Sequence, residues 1–297
     1  RSGETGGMAM QKQTSTGQMP GLAGQYALIT GASEGLGRAF AEECAYLGMN
    51  LILVALPSSG LAEVAQDLVR RYKVRVEQVE MDLTQADSPE TLVRWISSGG
   101  LPVSVLINNA GVGYNSRFED STLRDNESCI LLNNLALVKI THLMLPELKR
   151  RQHAYILNVS SMAAFFPMPF MPVYGPSKAF VLNFSLALQA EMRGTPVHVS
   201  VLCPNGVRTN VACRHKIDAH GLVGRLVSMD PQPVARCAVE ALLAGRPVIV
   251  LGWANRALVV LGQYVPTWLI CLVVSAFYGK TAQPAASVKR GVQALGG

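Results

Sequence analysis

Apolar positions along this chain fall into short, nearly continuous runs separated by stretches of helical spacing. Tyr26-Ala27-Leu28-Ile29-Thr30, Leu51-Ile52-Leu53-Val54-Ala55 and Val103-Ser104-Val105-Leu106-Ile107 have the composition of strands covered on both faces. Runs at 74–79, 155–159, 197–202 and 248–251 extend the set. Between them, apolar residues recur with helical period over 38–47, 61–71, 133–148 and 177–192. Strands alternating with helices predict an α/β fold, a three-layer, doubly wound parallel sheet with helices on both faces. No linker-like shift in composition divides residues 25–252, which therefore read as one domain. Residues 1–24, rich in Gly, Ser, Thr, Gln and Met, read as a flexible leader, with an expression remnant before Met8 or Met10. They lack the apolar core of a signal peptide. Residues 253–297 read as a hydrophobic extension and tail.

Composition adds one constraint. Only 15% of the 297 residues are charged, against about 25% in ordinary soluble proteins, and mean hydropathy is +0.24. An oligomer interface, a greasy substrate or a membrane is expected to cover apolar surface beyond the core. The net charge of +6 is scattered, with no basic stripe interleaved with aromatics, which argues against nucleic acid. Six cysteines show neither a Cys-x-x-Cys pair nor a zinc spacing with the five histidines. They read as free thiols of a reducing, cytoplasmic compartment, with no metal site.

Two local patterns carry chemistry. Thr30-Gly31-Ala32-Ser33-Glu34-Gly35-Leu36-Gly37 joins the first strand to the first helix. Glycines there let the backbone turn and approach a pyrophosphate, whose charge the helix N-terminus stabilises. Tyr174 and Lys178 stand four residues apart, one helical turn, so phenol and ammonium share a face. A cation beside a phenol favours the phenolate, lowering its pKa from about 10 towards working pH. Ser160 and Ser161 precede them, and a serine hydroxyl can hold a substrate oxygen.

The spacing Thr-Gly-x-x-x-Gly-x-Gly resembles the short-chain dehydrogenase/reductase superfamily, and further matches follow in order over residues 25–252. Asp82-Leu83, after the third strand, matches the adenine-contacting position. Asn108-Asn109-Ala110-Gly111 matches the Asn-Asn-Ala-Gly motif, and Asn133 the helix asparagine. Ser161, Tyr174 and Lys178 match the catalytic three. Pro204-Asn205-Gly206-Val207-Arg208-Thr209 resembles the Pro-Gly motif with Asn205 inserted or substituted. The resemblance implies a Rossmann fold and hydride transfer between a nicotinamide cofactor and a carbonyl or alcohol. Tyr174 would then be the acid/base, and Lys178 would tune it and bind the nicotinamide ribose. Ser161 would hold the substrate oxygen, and Asn133 a relay water. Cofactor contacts are expected from Gly31, Ser33, Glu34, Gly35, Leu36, Gly37, Ser58, Asp82, Leu83, Asn109, Ala110, Gly111, Tyr174, Lys178, Pro204, Gly206, Val207 and Thr209. A homodimer or homotetramer is also implied.

After the second strand, Ala55-Leu56-Pro57-Ser58-Ser59 offers neither an acid for a ribose 2′-hydroxyl nor an arginine for a 2′-phosphate. Without the acid, and with Ser58 or Ser59 as donors, the stretch favours NADP(H) over NAD(H), although Glu34 argues the other way. Between serine and tyrosine, Phe165-Phe166-Pro167-Met168-Pro169-Phe170-Met171-Pro172 is a proline-stiffened loop. Phe165, Met168, Phe170 and Met171 suit the wall of an apolar substrate site, or else a core or subunit contact. The basic segment 211–230 lies where the family places its substrate lid. Residues 257–278 carry no charge and are long enough to span a bilayer, but Gln263, Pro266 and Thr267 divide them into two short helices. They are expected to form a flap over the cleft, a subunit contact or a peripheral membrane contact.

With Asn158-Val159-Ser160-Ser161 and Leu145-Pro146, the chain resembles the branch of 3-oxoacyl-thioester reductases and 17β-hydroxysteroid dehydrogenases. The first expectation is an NADP(H)-dependent reductase of a hydrophobic, lipid-like ketone such as a 3-oxoacyl thioester. The second is an NAD-dependent dehydrogenase of steroid-like secondary alcohols, and the third a non-catalytic cofactor-bound sensor.

Overall fold

The computed structural model describes residues 21–207 and 229–279. Seven strands form one parallel sheet in the order β3-β2-β1-β4-β5-β6-β7. They are β1 (Tyr26–Thr30), β2 (Asn50–Ala55), β3 (Val76–Glu80), β4 (Val103–Asn108), β5 (Ala154–Val159), β6 (Val197–Leu202) and β7 (Val248–Ile249). The expected doubly wound sheet is therefore present.

Alternate residues of each strand feed two cores, as the period of two requires. Ala27, Ile29, Leu51, Leu53, Val105 and Ile107 face α1 (Gly35–Tyr46), α2 (Leu61–Tyr72) and α7 (Pro231–Leu243). Tyr26, Leu28, Ile52, Val54, Leu106 and Ile156 face α3 (Ser88–Ser98), α5 (Leu137–Leu148) and α6 (Tyr174–Glu191). Small buried residues let α1 and α7 pack closely: Ala39, Ala41 and Ala45 on one, Ala235 and Ala238 on the other.

Helices α3 and α7 lie outside the stretches whose apolar period was read from sequence. Each opens on proline in its first turn, where the missing N–H costs no intrahelical bond. The helix expected over 133–148 starts ten residues earlier. It runs as α4 (Leu123–Ile130), a π-helical turn (Leu131–Ala136) and then α5. The polar sequence of α4 hides it, since only Cys129 is buried there. Thr122 caps its start, the hydroxyl accepting from Asp125 N at 3.1 Å.

Residues 257–278 contribute to two helices, α8 (Trp253–Gly262) and α9 (Thr267–Tyr278), joined through Pro266. Among the described residues the one helical run long and apolar enough to cross a membrane is Leu123–Leu148. It is packed into the second core and carries Asn133.

Strand order reverses between β1 and β4, so the loops after these strands diverge and leave a crevice at their carboxyl ends. The glycine loop, Asp82, the end of the Asn-Asn-Ala-Gly motif, Ser161 and Tyr174 lie in loops or helix starts that follow β1, β3, β4 and β5 at that end of the sheet.

Candidate active site

The glycine loop leaves β1 at Gly31, where φ is +67°, and enters α1 at Gly35, where φ is +56°. Both values lie where only glycine is at ease. The turn is closed from β4. Thr30 Oγ1 accepts from the backbone N–H groups of Asn109 and Ala110, both at 3.0 Å. Asn109 Nδ2 in turn donates to Thr30 O (2.9 Å) and Gly31 O (3.1 Å). A Cβ on Gly37 would lie 1.9 Å from Gly31 O, so backbone meets backbone with no room for a side chain. Ser33, Glu34 and Leu36 line the same turn, with Leu36 buried in the first core and Glu34 exposed at the head of α1.

After β2, Ser58 adopts φ +60° and Gly60 φ +77° before α2 begins at Leu61. The Ser59 hydroxyl oxygen is buried with no hydrogen-bond partner among the described residues. Asp82 accepts from Thr84 N (2.9 Å), Thr84 Oγ1 (2.7 Å) and Gln85 Nε2 (3.3 Å). Partial burial opposes its ionisation, but these donors outweigh that and hold its pKa below the ordinary value. Leu83 is buried beneath it in the second core. The steric cradle at Gly31 and Gly37, with the orphaned Ser59 hydroxyl at the neighbouring strand end, fits a dinucleotide laid across the switch point.

The reacting end is built on α6. Lys178 is buried, its Nζ donating to Val159 O at 3.0 Å and lying 5.8 Å from the centre of the Tyr174 ring. Burial pulls the Lys178 pKa down to about 8, while the Cys129 and Cys203 thiols act in the opposite sense. Burial also raises the pKa of both thiols, Cys203 to about 12. No salt bridge reaches Lys178 among the described residues. Such a cation favours any anion or hydroxyl oxygen that enters beside it.

Ser160 and Ser161 are separated by their partners. Ser160 Oγ is buried and donates to Lys178 O at 2.7 Å, which ties β5 to α6. Ser161 caps the turn Met162–Ala164, its Oγ accepting from Ala163 N at 3.1 Å. A hydroxyl that accepts from the backbone keeps its own proton for another acceptor.

Asn133 is buried in the π-helical turn, where i→i+5 bonding interrupts the regular helical spacing. Its Oδ1 accepts from Val112 N (2.9 Å), and its Nδ2 donates to Val112 O (2.9 Å) and Ser177 Oγ (2.9 Å). Ser177 Oγ donates to Tyr174 O at 2.7 Å. Asn133, the loop after β4 and the first turn of α6 are thus one hydrogen-bonded unit. Gly111 fits between Asn133 and Lys178, where an added Cβ would lie 2.9 Å from Asn133 Oδ1 and 3.1 Å from Lys178 Nζ.

Sequence reasoning overlooked two members of this unit. Ser177 offered no signal beyond its place inside Tyr174-Gly175-Pro176-Ser177-Lys178. Gly113, two residues beyond the Asn-Asn-Ala-Gly motif, lies against Tyr174, where an added Cβ would be 2.6 Å from ring carbon Cδ2.

The Phe/Met loop divides its residues. Phe165 and Phe166 pack on a core of Leu137, Met162, Val181, Val201 and Val250, together with Val259 of α8. Met168 lies over Gly175. Phe170 and Met171 line a small pocket with Tyr114, Ser116, Cys129 and Tyr174. Phe170 holds φ +67°, costly for an aromatic residue, and its carbonyl accepts from Ser116 N at 2.9 Å.

Pro204 O accepts from Met162 N at 2.9 Å. Asn205, the departure from the family motif, has a distinct partner: its Nδ2 donates to the buried Asn255 of α8 at 2.9 Å. Val207 forms a backbone bridge with Met229, whose N–H donates to Gly206 O at 3.0 Å. Thr209 and the expected lid, apart from Met229 and Asp230, lie outside the described residues.

Comparison with known proteins agrees with this geometry. The profile of the short chain dehydrogenases matches residues 25–218. The chain belongs to the short-chain dehydrogenase family. The very-long-chain 3-oxoacyl-CoA reductase of Bos taurus is 33% identical over 193 residues, 64% of this chain and 61% of that protein. The 17-beta-hydroxysteroid dehydrogenase type 3 of Homo sapiens is 36% identical over 189 residues, 63% of this chain and 60% of its own length. The match thus spans about three-fifths of these relatives.

Among solved structures, a short-chain dehydrogenase from Sphingobium yanoikuyae in complex with NADPH superposes with TM-score 0.71 at 29% identity. The match covers 81% of this chain and 93% of that one. A short-chain dehydrogenase/reductase from Burkholderia phymatum in complex with NAD gives TM-score 0.72 at 29% identity. It covers 83% and 95% of the two chains. Both nicotinamide cofactors therefore occur on this fold, and the branch expected from sequence is the one from which the relatives come.

Proposed function

We propose that the chain is an NADP(H)-dependent reductase of a hydrophobic, lipid-like ketone, with a 3-oxoacyl thioester as the leading class. The observation that carries the reading is the buried Lys178 ammonium beside the Tyr174 ring, with no carboxylate paired to it among the described residues. When bound, the reduced nicotinamide supplies hydride at its C4. Gly31, Gly35 and Gly37 would hold the pyrophosphate, and Asp82 and Leu83 would border the adenine. Asn109, Ala110, Gly111, Lys178, Pro204, Gly206 and Val207 would hold the nicotinamide half.

Ser161 donates a hydrogen bond to the substrate carbonyl oxygen, stabilising charge as it develops there. Tyr174 transfers its phenolic proton to that oxygen, and Lys178 stabilises the phenolate left behind. Asn133 holds the 111–113 loop and the start of α6 together, so that a relay water has a fixed place beside Lys178. The preference for NADP(H) is supported by the unpartnered Ser59 hydroxyl and the absence of an acid at the end of β2. Phe170 and Met171 form the apolar wall. Residues 25–252 do this work, as a homodimer or homotetramer, and the extension beyond makes a peripheral membrane contact.

Tyr174→Phe keeps NADPH affinity within about twofold and removes nearly all turnover of a 3-oxoacyl thioester panel. A fully active variant would refute the assignment of the acid. A kcat/KM favouring NADH would overturn the cofactor preference and leave oxidation of hydrophobic alcohols with NAD as the better account.

A further inference from the structure

Helices α8 and α9 form a hairpin with an apolar outer face. No residue of α9 is buried, although the helix is almost wholly apolar. Trp268, Leu272 and Val273 are exposed along one side of α9, and Leu258, Val260 and Leu261 on α8. Trp253 (83% exposed), Tyr264 (82%) and Trp268 (68%) stand at the helix ends and the connecting turn. Exposed Trp and Tyr flanking an apolar face are the composition of a membrane–water boundary, where amphipathic rings sit at headgroup level.

Length decides how such a hairpin meets a bilayer. The 12 residues of α9 extend about 18 Å at about 1.5 Å per residue, short of the hydrocarbon thickness of about 30 Å. The hairpin can lie in the interface but cannot cross it. Charge identifies the lipid. Exposed Arg246 and Arg256 line one cavity with Val259 and Val260 of α8 and a single acid, Glu240, which is itself 4.0 Å from Arg236. An apolar surface beside which cations outnumber acids complements anionic headgroups.

The inner side of the hairpin is seated on the loops of the candidate site. Asn255 accepts from Asn205. Phe166 lies so close to Gly262 that an added Cβ would be 2.2 Å from its ring. Phe170, on the pocket wall, lies against Gly279, 3.4 Å from the corresponding Cβ position.

We propose that this hairpin docks the protein on an anionic lipid surface and, through Phe170 and Asn205, holds the substrate wall next to the bilayer from which an apolar ketone enters. The delivery half rests on the reductase reading above, whereas the docking half does not.

The test uses the full chain carrying Trp95→Phe, so that emission reports on the hairpin tryptophans alone. Phosphatidylcholine vesicles containing phosphatidylglycerol are expected to co-sediment the protein and shift its emission to the blue, and added NaCl to weaken both. The double variant Trp268→Glu, Leu272→Glu is expected to lose vesicle binding by about tenfold or more. It should keep its melting temperature and its rate on a short, water-soluble ketone, while losing rate on a long-chain 3-oxoacyl thioester presented in vesicles. Equal binding to pure phosphatidylcholine overturns the anionic assignment. No vesicle binding, with a dimer that the double variant dissociates, overturns docking and makes a second copy the occupant. Vesicle binding without turnover of any ketone overturns the reductase reading and leaves docking intact. Equal long-chain rates for both forms overturn delivery.

Discussion

Gly113 offers the sharpest test of how the tyrosine is held. An alanine Cβ there would lie 2.6 Å from Cδ2, 2.8 Å from Cε2 and 3.1 Å from Cγ of Tyr174. Carbon atoms in ordinary contact sit about 3.5–4.0 Å apart, so the ring must retreat by about 1 Å or the 111–113 loop must shift by as much. The loop is poorly able to give, because Val112 is clamped by Asn133 through both its N–H and its carbonyl. Gly113 is not in the left-handed region, so alanine itself meets no backbone strain. The damage should therefore fall on the position of the phenol.

A displacement of about 1 Å at a reacting group costs about 10²-fold in rate, equivalent to about 2.7 kcal/mol of barrier. Gly113→Ala is expected to lower kcat by that factor at saturating NADPH and ketone, with cofactor affinity little changed. Oxidation of the reduced nicotinamide followed by absorbance gives kcat, and quenching of protein fluorescence gives cofactor affinity. A Gly113→Ala protein within about threefold of the parent kcat would show that Tyr174 accommodates the methyl group and that its placement is not the limiting geometry.

Two further expectations follow from the same unit. Lys178 carries a pKa of about 8 when folded, against an ordinary 10.5, because burial disfavours its charge. Between these values the unfolded chain holds a proton that the folded chain has released, so stability rises with pH across this window by up to about 3 kcal/mol. Denaturant titrations of the cofactor-free protein at either end should show this rise, and Lys178→Met should abolish it; parallel curves would contradict the burial argument. Asn133→Ala leaves the Val112 N–H without its acceptor and is expected to destabilise by about 1–3 kcal/mol. The loss should appear in thermal unfolding, and kcat should fall further than stability alone explains. An unchanged kcat would remove Asn133 from the relay.

Patterns set by neighbours in the chain were legible in the sequence. Buried strands are apolar runs because both faces are covered, the glycine loop is a spacing required by its own turn, and Tyr174 and Lys178 share a face by helical period alone. Those local rules, met in order, reach the family and the fold without coordinates. They do not reach residues whose role depends on what folding brings beside them.

Ser160 and Ser161 are alike in sequence, and they are told apart only because one meets Lys178 O and the other Ala163 N. Phe165 and Phe170 sit in one run, yet one packs into the core and the other lines the pocket. Asn205 reads as a motif defect until Asn255, fifty residues on, is found opposite it. Helix α4 escapes apolar periodicity because only Cys129 is buried on it, and the place of Asn133 in the π-helical turn is set by its hydrogen bonds with Val112 and Ser177, remote in sequence. Chain-local chemistry thus determined the fold and the reacting groups, while tertiary contact decided which of several equivalent side chains faces the cleft, since that choice is made by partners remote in sequence.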